Sequence, residues 1–516
     1  MIVKDIVFGS EGRQKLIKGV DTIANAVGST LGARGRTVLI ESEQHIGGIT
    51  VTKDGVTVAK SINLMDPAEN LAVMIMREAS EKTANSAGDG TTTSMVLAQA
   101  IIHAAMGVLT PEDNTTQVLR DVQSAALKVA DELTAMSTEI TPDKLVDVAT
   151  ISANGDSEIG QIIADAYNKV GLSGVVTVEP SETELTYAEV INGMKIDRGF
   201  SSKYFVTDHK KQEVVLDNPY ILVTDQPVTN INDLLPILEF VFQARKSILI
   251  IGDLDENSLN SLNVNKIKSG LKVCTITPPS FGYKRHQIMQ DIAIATGAKY
   301  FSEQTGDNLL MATIDDCGTA SKIVSSRLNT LIFGAGGAGD ERIQELQEQI
   351  TVESSAIEKE FLKERVANLG GGVAVIKVGA NSDIEQKEKK DRVDDAVCAV
   401  RAALEEGILP GGGVALKDIA AKLDENNKGD EILRLAMVSP MAKILANAGL
   451  STDSIDRDKV KKEGIGINVA TGAYCHMMSV GIIDPTKVCK EALKNAVSVA
   501  VTLLSTETVI TNVRQM

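Results

Sequence analysis

Ala87-Gly-Asp-Gly-Thr-Thr-Thr93 stands directly before the apolar run Met95-Val-Leu-Ala-Gln-Ala100. Gly88 and Gly90 let the backbone approach a ligand closely. The run after them reads as a helix whose first turn turns free N–H groups and the positive end of its dipole toward the loop. Thr91, Thr92 and Thr93 add three hydroxyls that can donate to phosphate oxygens. Asp89 would repel a bare phosphate, but it suits one that carries Mg2+. Taken alone, the seven residues read better as a Gly-plus-Thr helix cap, so the rest of the chain has to decide.

Other stretches can complete a phosphate site. Thr30-Leu-Gly32-Ala-Arg-Gly35 is a glycine-bounded turn at a helix end, and Lys53-Asp54-Gly55 is a tight turn with a carboxylate. Gly411-Gly412-Gly413 precedes a helix starting at Val414 and can admit a flat ligand against bare backbone. Asp394-Asp395 lies in the charged segment 389–395, which by composition reads as a solvated helix face. The chain has no Gly-Lys pair, which excludes a P-loop. One G-x-G-x-x-G occurs, Gly334-Ala-Gly336-Gly-Ala-Gly339, after the apolar Thr330-Leu-Ile-Phe333. The helix after it opens Asp340-Glu341, acidic where a pyrophosphate would sit, so this run reads as a loop.

Along the chain the two flanks resemble each other and the centre differs. Leu16, Val20, Ile23, Ala24, Val27 and Leu31 follow helical spacing, Asp66-Pro67 opens a long helix, and from Leu404 onward the chain again reads as Ala-rich helix. Residues 37–40, 49–51 and 56–58 read as strands. In the centre, short apolar strands at 221–223, 248–251, 273–276 and 299–301 alternate with helices at 233–245 and 285–296, a layered α/β pattern. A charged helix follows at 340–367, then a strand at 373–378. One domain made of both ends, with another inserted, is the economical reading. Gly193 and Gly370–Gly372 are candidate hinges at the crossings.

The 516 residues carry 52 Lys+Arg against 69 Asp+Glu, a net charge of −17, which argues against general nucleic-acid binding. With 43% hydrophobic and 23% charged residues the chain is globular and long enough for about three domains. Aromatics are 3%, which favours close helix packing over aromatic-rich grooves. The five cysteines form no C-x-x-C and the five histidines are scattered, against a disulfide scaffold or zinc site. The charged start Met-Ile-Val-Lys-Asp and the lack of an apolar run near 20 residues predict a cytoplasmic protein without signal peptide or membrane span.

In combination these motifs resemble the group I chaperonins, the bacterial and organellar class of ring-forming folding machines. The resemblance rests on Thr30-Leu-Gly32, Thr52-Lys-Asp-Gly-Val56, Ala87–Thr93, Thr150-Ile-Ser-Ala-Asn154, Gly371–Ala380, Glu406-Gly407 with Gly411–Leu416, and Gly481–Val488. It is collinear from about Lys4 to Val509. It implies a multidomain α plus α/β fold: a mostly helical equatorial ATPase domain from 1–134 and 406–516, a small intermediate hinge domain from 135–191 and 374–405, and a layered α/β apical domain at 192–373.

By that resemblance Thr30, Leu31, Gly32, Ala33, Gly88, Gly90, Thr91, Thr92 and Thr93 correspond to the ATP-phosphate loops and Asp89 to the Mg2+ ligand. Gly412, Asn468, Val469, Ala470 and Asp484 correspond to positions around base and ribose. Thr30 and Lys53 fall where the family holds a monovalent cation, K+. Asp395 corresponds to the hinge-domain carboxylate that positions the attacking water, with Asp54 as its partner. Phe200, Tyr204, Phe205, Leu235, Leu238, Leu259 and Val264 correspond to an exposed apolar rim for non-native polypeptides. The resemblance further implies a homo-oligomeric ring, heptameric, with a co-chaperonin lid, and neither nucleic acid nor membrane as partner.

The departures are those of a divergent member, virus-encoded or specialised. Ala33 replaces a usual Pro and Arg34 a usual Lys. Ser201 and Asn263 are polar where the rim is apolar, which weakens the expectation of a lid. Ala442 and Ser451 stand near positions of charged inter-ring contacts, which weakens that of a double ring, and the chain closes on Gln515-Met516 without a Gly-Gly-Met tail. Two rival readings are a small-molecule kinase, for which no spare His or Lys cluster supplies a base, and a non-hydrolysing holdase, against which the intact Asp54, Asp89 and Asp395 speak.

Overall fold

The computed structural model describes residues 4–41, 48–171, 174–191, 193–209, 211–302, 306–353, 355–370, 373–451 and 456–512. They fall into two compact units, one of 1–165, 178–188 and 376–516, the other of 166–177 and 189–375.

The first unit is helical and closes the chain on itself. Strand Lys4–Phe8 pairs antiparallel with Thr508–Asn512. Helix Thr486–Leu504 packs on Pro67–Ala87, Thr91–Val108 and Thr115–Met136, while Gly9–Gly28 packs on the first two of those. The core is built largely from small and branched residues of both ends, among them Val20, Ile23, Ala72, Leu97, Ile101, Leu493 and Ala500, whose compact side chains allow close helix approach. Thr91–Val108 is long and apolar enough to match a membrane span by length and composition. Met95, Leu97, Ala98, Ile101 and Ile102 nevertheless all face this core, so it is a packed helix here.

Pro at the first turn and Asp66 as N-cap, accepting from the Ala68 and Glu69 N–H groups, start Pro67–Ala87. Residues 56–58, expected as a strand, belong instead to helix Gly55–Ser61: Asp54 caps it, and the cap overrides the β-branched Val-Thr-Val preference. The C-terminal flank is also less uniformly helical than expected. Ile408–Pro410 pairs with Ile483–Pro485, and Ile465–Asn468 forms a hairpin with Ala473–His476.

The second unit is α/β. Its parallel strands run in the spatial order Lys272–Ile276, Ser247–Ile251, Tyr220–Thr224, Tyr300–Phe301, with Gly318–Thr319 antiparallel beside Tyr220–Thr224. A second, antiparallel sheet has the order Gly193–Ile196, Thr330–Phe333, Lys322–Ser325, Val214–Asp217. Gly193 is thus paired with Phe333 inside a sheet and does not stand in a loop; Gly371 and Gly372 lie outside the described residues. The expected helix at 233–245 is a 3-10 turn, Ile231–Leu234, followed by Leu235–Gln243. The charged segment 340–367 divides into Gly339–Val352 and Ala356–Gly370.

Candidate functional site

A cavity of about 470 Å³ opens in the first unit. Its wall takes Thr30–Ala33, Lys53, Asp54, Asp89–Thr93, Asp391, Asp395, Gly412, Asn468–Ala470 and Asp484, so residues from both ends of the chain meet there. Every expected nucleotide-site residue lines it except Gly88, which supports the wall from behind. A Cβ at Gly88 would come 2.4 Å from Cys398 Cβ, and its φ of +75° is one that side chains resist. Gly90 (φ +83°) then turns the chain into helix Thr91–Val108, whose N-terminus no side chain caps. That leaves first-turn N–H groups, with the Thr91–Thr93 hydroxyls, for an anionic ligand. Thr30 Oγ1 donates to Val27 O at 2.8 Å, and Asn447 Nδ2 donates to Gly28 O and Leu31 O, both at 2.9 Å, fixing the first loop.

Carboxylates dominate the electrostatics. The cavity-facing stripe of helix Asp383–Glu406 is Glu388, Asp391, Arg392 and Asp395, at helical spacing. Arg392 is taken by Glu388 at 3.0 Å and Asp156 at 3.5 Å. Among the described residues neither a hydrogen bond nor an ion pair reaches Asp395. Burial first, then the charges of Asp54 and Asp89, hold it well above the ordinary carboxylate range. Burial also raises Asp89, against the pull of the Gly90 N–H at 2.5 Å. Asp391 is pushed up to about 6 by burial and by Asp54. Asp484 rises to about 7 through burial and Asp89, opposed by the Gly412 and Gly413 N–H groups. Each of these side chains lines the cavity.

A set of carboxylates raised in this way fits a cationic guest. Among the described residues no group of three or more His, Cys, Asp or Glu side chains is arranged to hold a metal by itself. A cation bound through Asp89 would therefore draw most of its shell from ligand oxygens and water, which suits Mg2+ on a phosphate chain.

Asp54 is held differently. Oδ1 accepts from Val56 N at 3.0 Å, and Oδ2 from Thr57 N at 2.8 Å and Thr57 Oγ1 at 2.6 Å. The capping role of Asp54 and the part of Thr57 escaped the sequence reading, although an Asp three residues before a hydroxyl is a capping signal.

The G-x-G-x-x-G run has no phosphate cradle. Gly336 N donates to Thr319 O, Gly337 N to Ala295 O and Ala338 N to Ile294 O, so its N–H groups are spent on packing.

The expected rim splits. Tyr204, Leu235 and Val264 are 64%, 43% and 47% exposed, on neighbouring elements: the turn Lys203–Phe205 and the segment 231–234 both pack on helix Glu256–Ser269. Phe200 and Leu259 are half-buried against the core. Phe205 and Leu238, by contrast, are core residues at 0% and 8% exposure, because the turn and the helix each present one face inward. Polar Ser201 is used structurally, donating to Thr275 O at 3.0 Å.

A cavity assembled from both chain ends, lined by the Asp89–Thr93 loop, together with an inserted α/β unit, defines the chaperonin class. The model of the TCP-1/cpn60 chaperonin family matches residues 23–514, and the chain belongs to that family. Among solved structures it is similar to the chaperonin gp146 of bacteriophage EL (Pseudomonas aeruginosa), crystallised in the presence of ATP-BeFx. In crystal form II the TM-score is 0.69 at 22% identity, covering 99% of each chain. In crystal form I it is 0.64 at the same identity and coverage.

Proposed function

We propose that this chaperone is driven by ATP hydrolysis in the cavity of the first unit. The observation that carries the reading is Asp395, unpaired among the described residues, raised by its surroundings and sharing the cavity with the Asp89–Thr93 loop. The loop's N–H and hydroxyl groups receive the phosphates, and Gly412, Asn468, Val469, Ala470 and Asp484 receive the nucleoside. Asp89 would hold Mg2+, which neutralises phosphate charge, and Thr30 and Lys53 a K+ ion. Asp395 takes a proton from water as its oxygen bonds to the γ-phosphorus and the bridge to ADP breaks. A base whose affinity for protons is raised above the ordinary carboxylate range suits that step. In the three-domain division, 135–191 and 374–405 form the hinge that carries Asp395, so that turnover depends on closure.

Clients are non-native polypeptides held on the exposed part of the rim, Tyr204, Leu235 and Val264. Two apolar anchors of about 150–250 Å² each at ~25 cal/mol per Å² give roughly 8–12 kcal/mol, comparable with the ~4–15 kcal/mol cost of association. One subunit then binds weakly, and a ring gains avidity. The apolar residues Ile6, Phe8 and Ile510 on the terminal strand pair, with Leu39 and Ile49 on the paired strands Val38–Glu41 and Ile49–Thr52, are exposed in the single chain and support burial between copies. A homo-oligomeric ring of seven, a co-chaperonin lid, and residence in the cytoplasm belong to the same proposal.

The test is Asp395→Ala. Nucleotide affinity stays within about threefold, while steady-state turnover falls by about 10²-fold or more. Near-normal turnover overturns the assignment. Light scattering with and without ATP reads the ring directly, and a monomer under both conditions rejects it.

A further inference from the structure

We infer that Thr57 is a positioning residue for the hydrolytic step, because its hydroxyl fixes which oxygen of Asp54 is open to the attacking water. The inference rests on the proposed ATPase site and goes one residue beyond the groups that touch the ligand.

A carboxylate offers about four acceptor positions, two on each oxygen. Asp54 Oδ2 has both of its own filled, by the N–H of Thr57 and by the Thr57 hydroxyl. Oδ1 has one filled, by the Val56 N–H. One position remains, on Oδ1. Asp54 lines the cavity, and among the side-chain charges acting on Asp395 its own is the largest. Water held by that open position and by Asp395 meets one direction of approach. The backbone supports the arrangement from the other side, where Asp54 N donates to the buried Thr52 Oγ1 at 3.0 Å. At 2.6 Å the Thr57 hydroxyl contact is the shortest of the three on the carboxylate, as expected for a hydroxyl on an anionic acceptor.

Without the hydroxyl, Oδ2 gains a vacancy and water divides between two oxygens. The cap itself survives, because both N–H groups still hold Asp54. Misdirected water costs the chemical step and leaves nucleotide binding untouched.

The experiment compares Thr57→Val, Thr57→Ser and Asp395→Ala with the unmodified full-length chain in ATP turnover, nucleotide affinity and thermal midpoint. The expected result is a fall in kcat of about tenfold for Thr57→Val at unchanged KM, affinity and midpoint. Thr57→Ser restores kcat to within about twofold. Wild-type kcat in Thr57→Val, alongside an inactive Asp395→Ala, overturns the role of Thr57 and leaves the site standing. Equal losses in the Val and Ser variants with a lowered midpoint reduce Thr57 to a helix-cap residue and overturn it as well. Turnover surviving in Asp395→Ala removes the site, and this inference falls with it.

Discussion

Asp291 and Asp395 are aspartates on helices, each surrounded largely by protein, one in each unit, and they are treated in opposite ways. Asp291 is almost fully buried. Arg365 donates to it through Nε at 2.6 Å and Nη2 at 2.8 Å, and Arg342 through Nε at 2.9 Å. Arg365 is itself buried, bonds Gln287 Oε1 and lies over the Phe361 ring, so the whole cluster is satisfied. Asp395 has no cation partner among the described residues and faces Asp54 and Asp89 instead. A buried charge costs several kcal/mol unless it is matched. The second unit matches its carboxylate and leaves apolar side chains exposed. The first unit leaves carboxylates without a matching cation at its cavity. Each unit is locally unsatisfied where a complementary ligand is proposed to bind.

The sharpest way to break this contrast is the same substitution at both positions. Asp291→Asn strands two guanidinium groups against a neutral amide. It should destabilise the second unit by about 3–5 kcal/mol, seen as faster hydrogen exchange over helices 282–296 and 356–370. Asp395→Asn removes an unmatched charge, so the ligand-free chain should become slightly more stable at pH 8. Equal destabilisation by the two substitutions would show that Asp395 has a partner in solution and would end the contrast.

A somewhat smaller effect separates rim from core within the second unit. Leu238→Ser should cost about 3 kcal/mol, because Leu238 packs among Ile237, Val241 and the strands beneath. Leu235→Ser with Val264→Ser should leave the thermal midpoint within a degree or two yet abolish holding of a denatured client, measured as suppression of its aggregation. Client holding that survives the double substitution removes the rim from the proposal.

Which of these features could be read from the sequence follows from how local each one is. The Gly88–Thr93 loop, Asp66-Pro67 and the strands of the parallel sheet were legible, since turn chemistry, caps and apolar runs act over a few residues. Helix 55–61 was not, because Val56-Thr-Val58 looks extended until Asp54 is recognised as a cap. Phe205 and Leu238 carry nothing in the sequence to distinguish them from Tyr204 and Leu235; the facing layer decides which side is covered. Asp291 and Arg365 are 74 residues apart, and no periodicity links them. Asp395 read as a solvated face by composition. The fold brings it to Asp54 and Asp89, and there the family resemblance was more informative than the local pattern.

The smallest effect is in pH dependence, and its sign is diagnostic. A carboxyl raised in the folded chain above its unfolded value of 3.8 makes the folded state bind protons more readily. Stability is then gained as pH falls through the folded value and stops changing below the unfolded one. With Asp484 near 7 and Asp391 near 6, and Asp395 and Asp89 also raised, the ligand-free chain should gain stability from pH 8 down to about 5. The size is roughly 1–2 kcal/mol, reduced by the water that reaches the cavity. Asp113, held down to about 2 chiefly by its hydrogen bond from Lys428, does not interfere in that window, since its contribution is lost only at more acidic pH. Saturating Mg2+ and nucleotide should flatten the profile, because the carboxylates then have a counter-charge and no longer favour the proton. Urea midpoints of the ligand-free chain at pH 8, 6.5 and 5, with and without Mg2+ and nucleotide, measure both parts. A midpoint that falls steadily from pH 8 to 5 without ligand would mean that these carboxylates are matched in the folded chain, which is the behaviour expected of Asp291 and not of a site waiting for a cation.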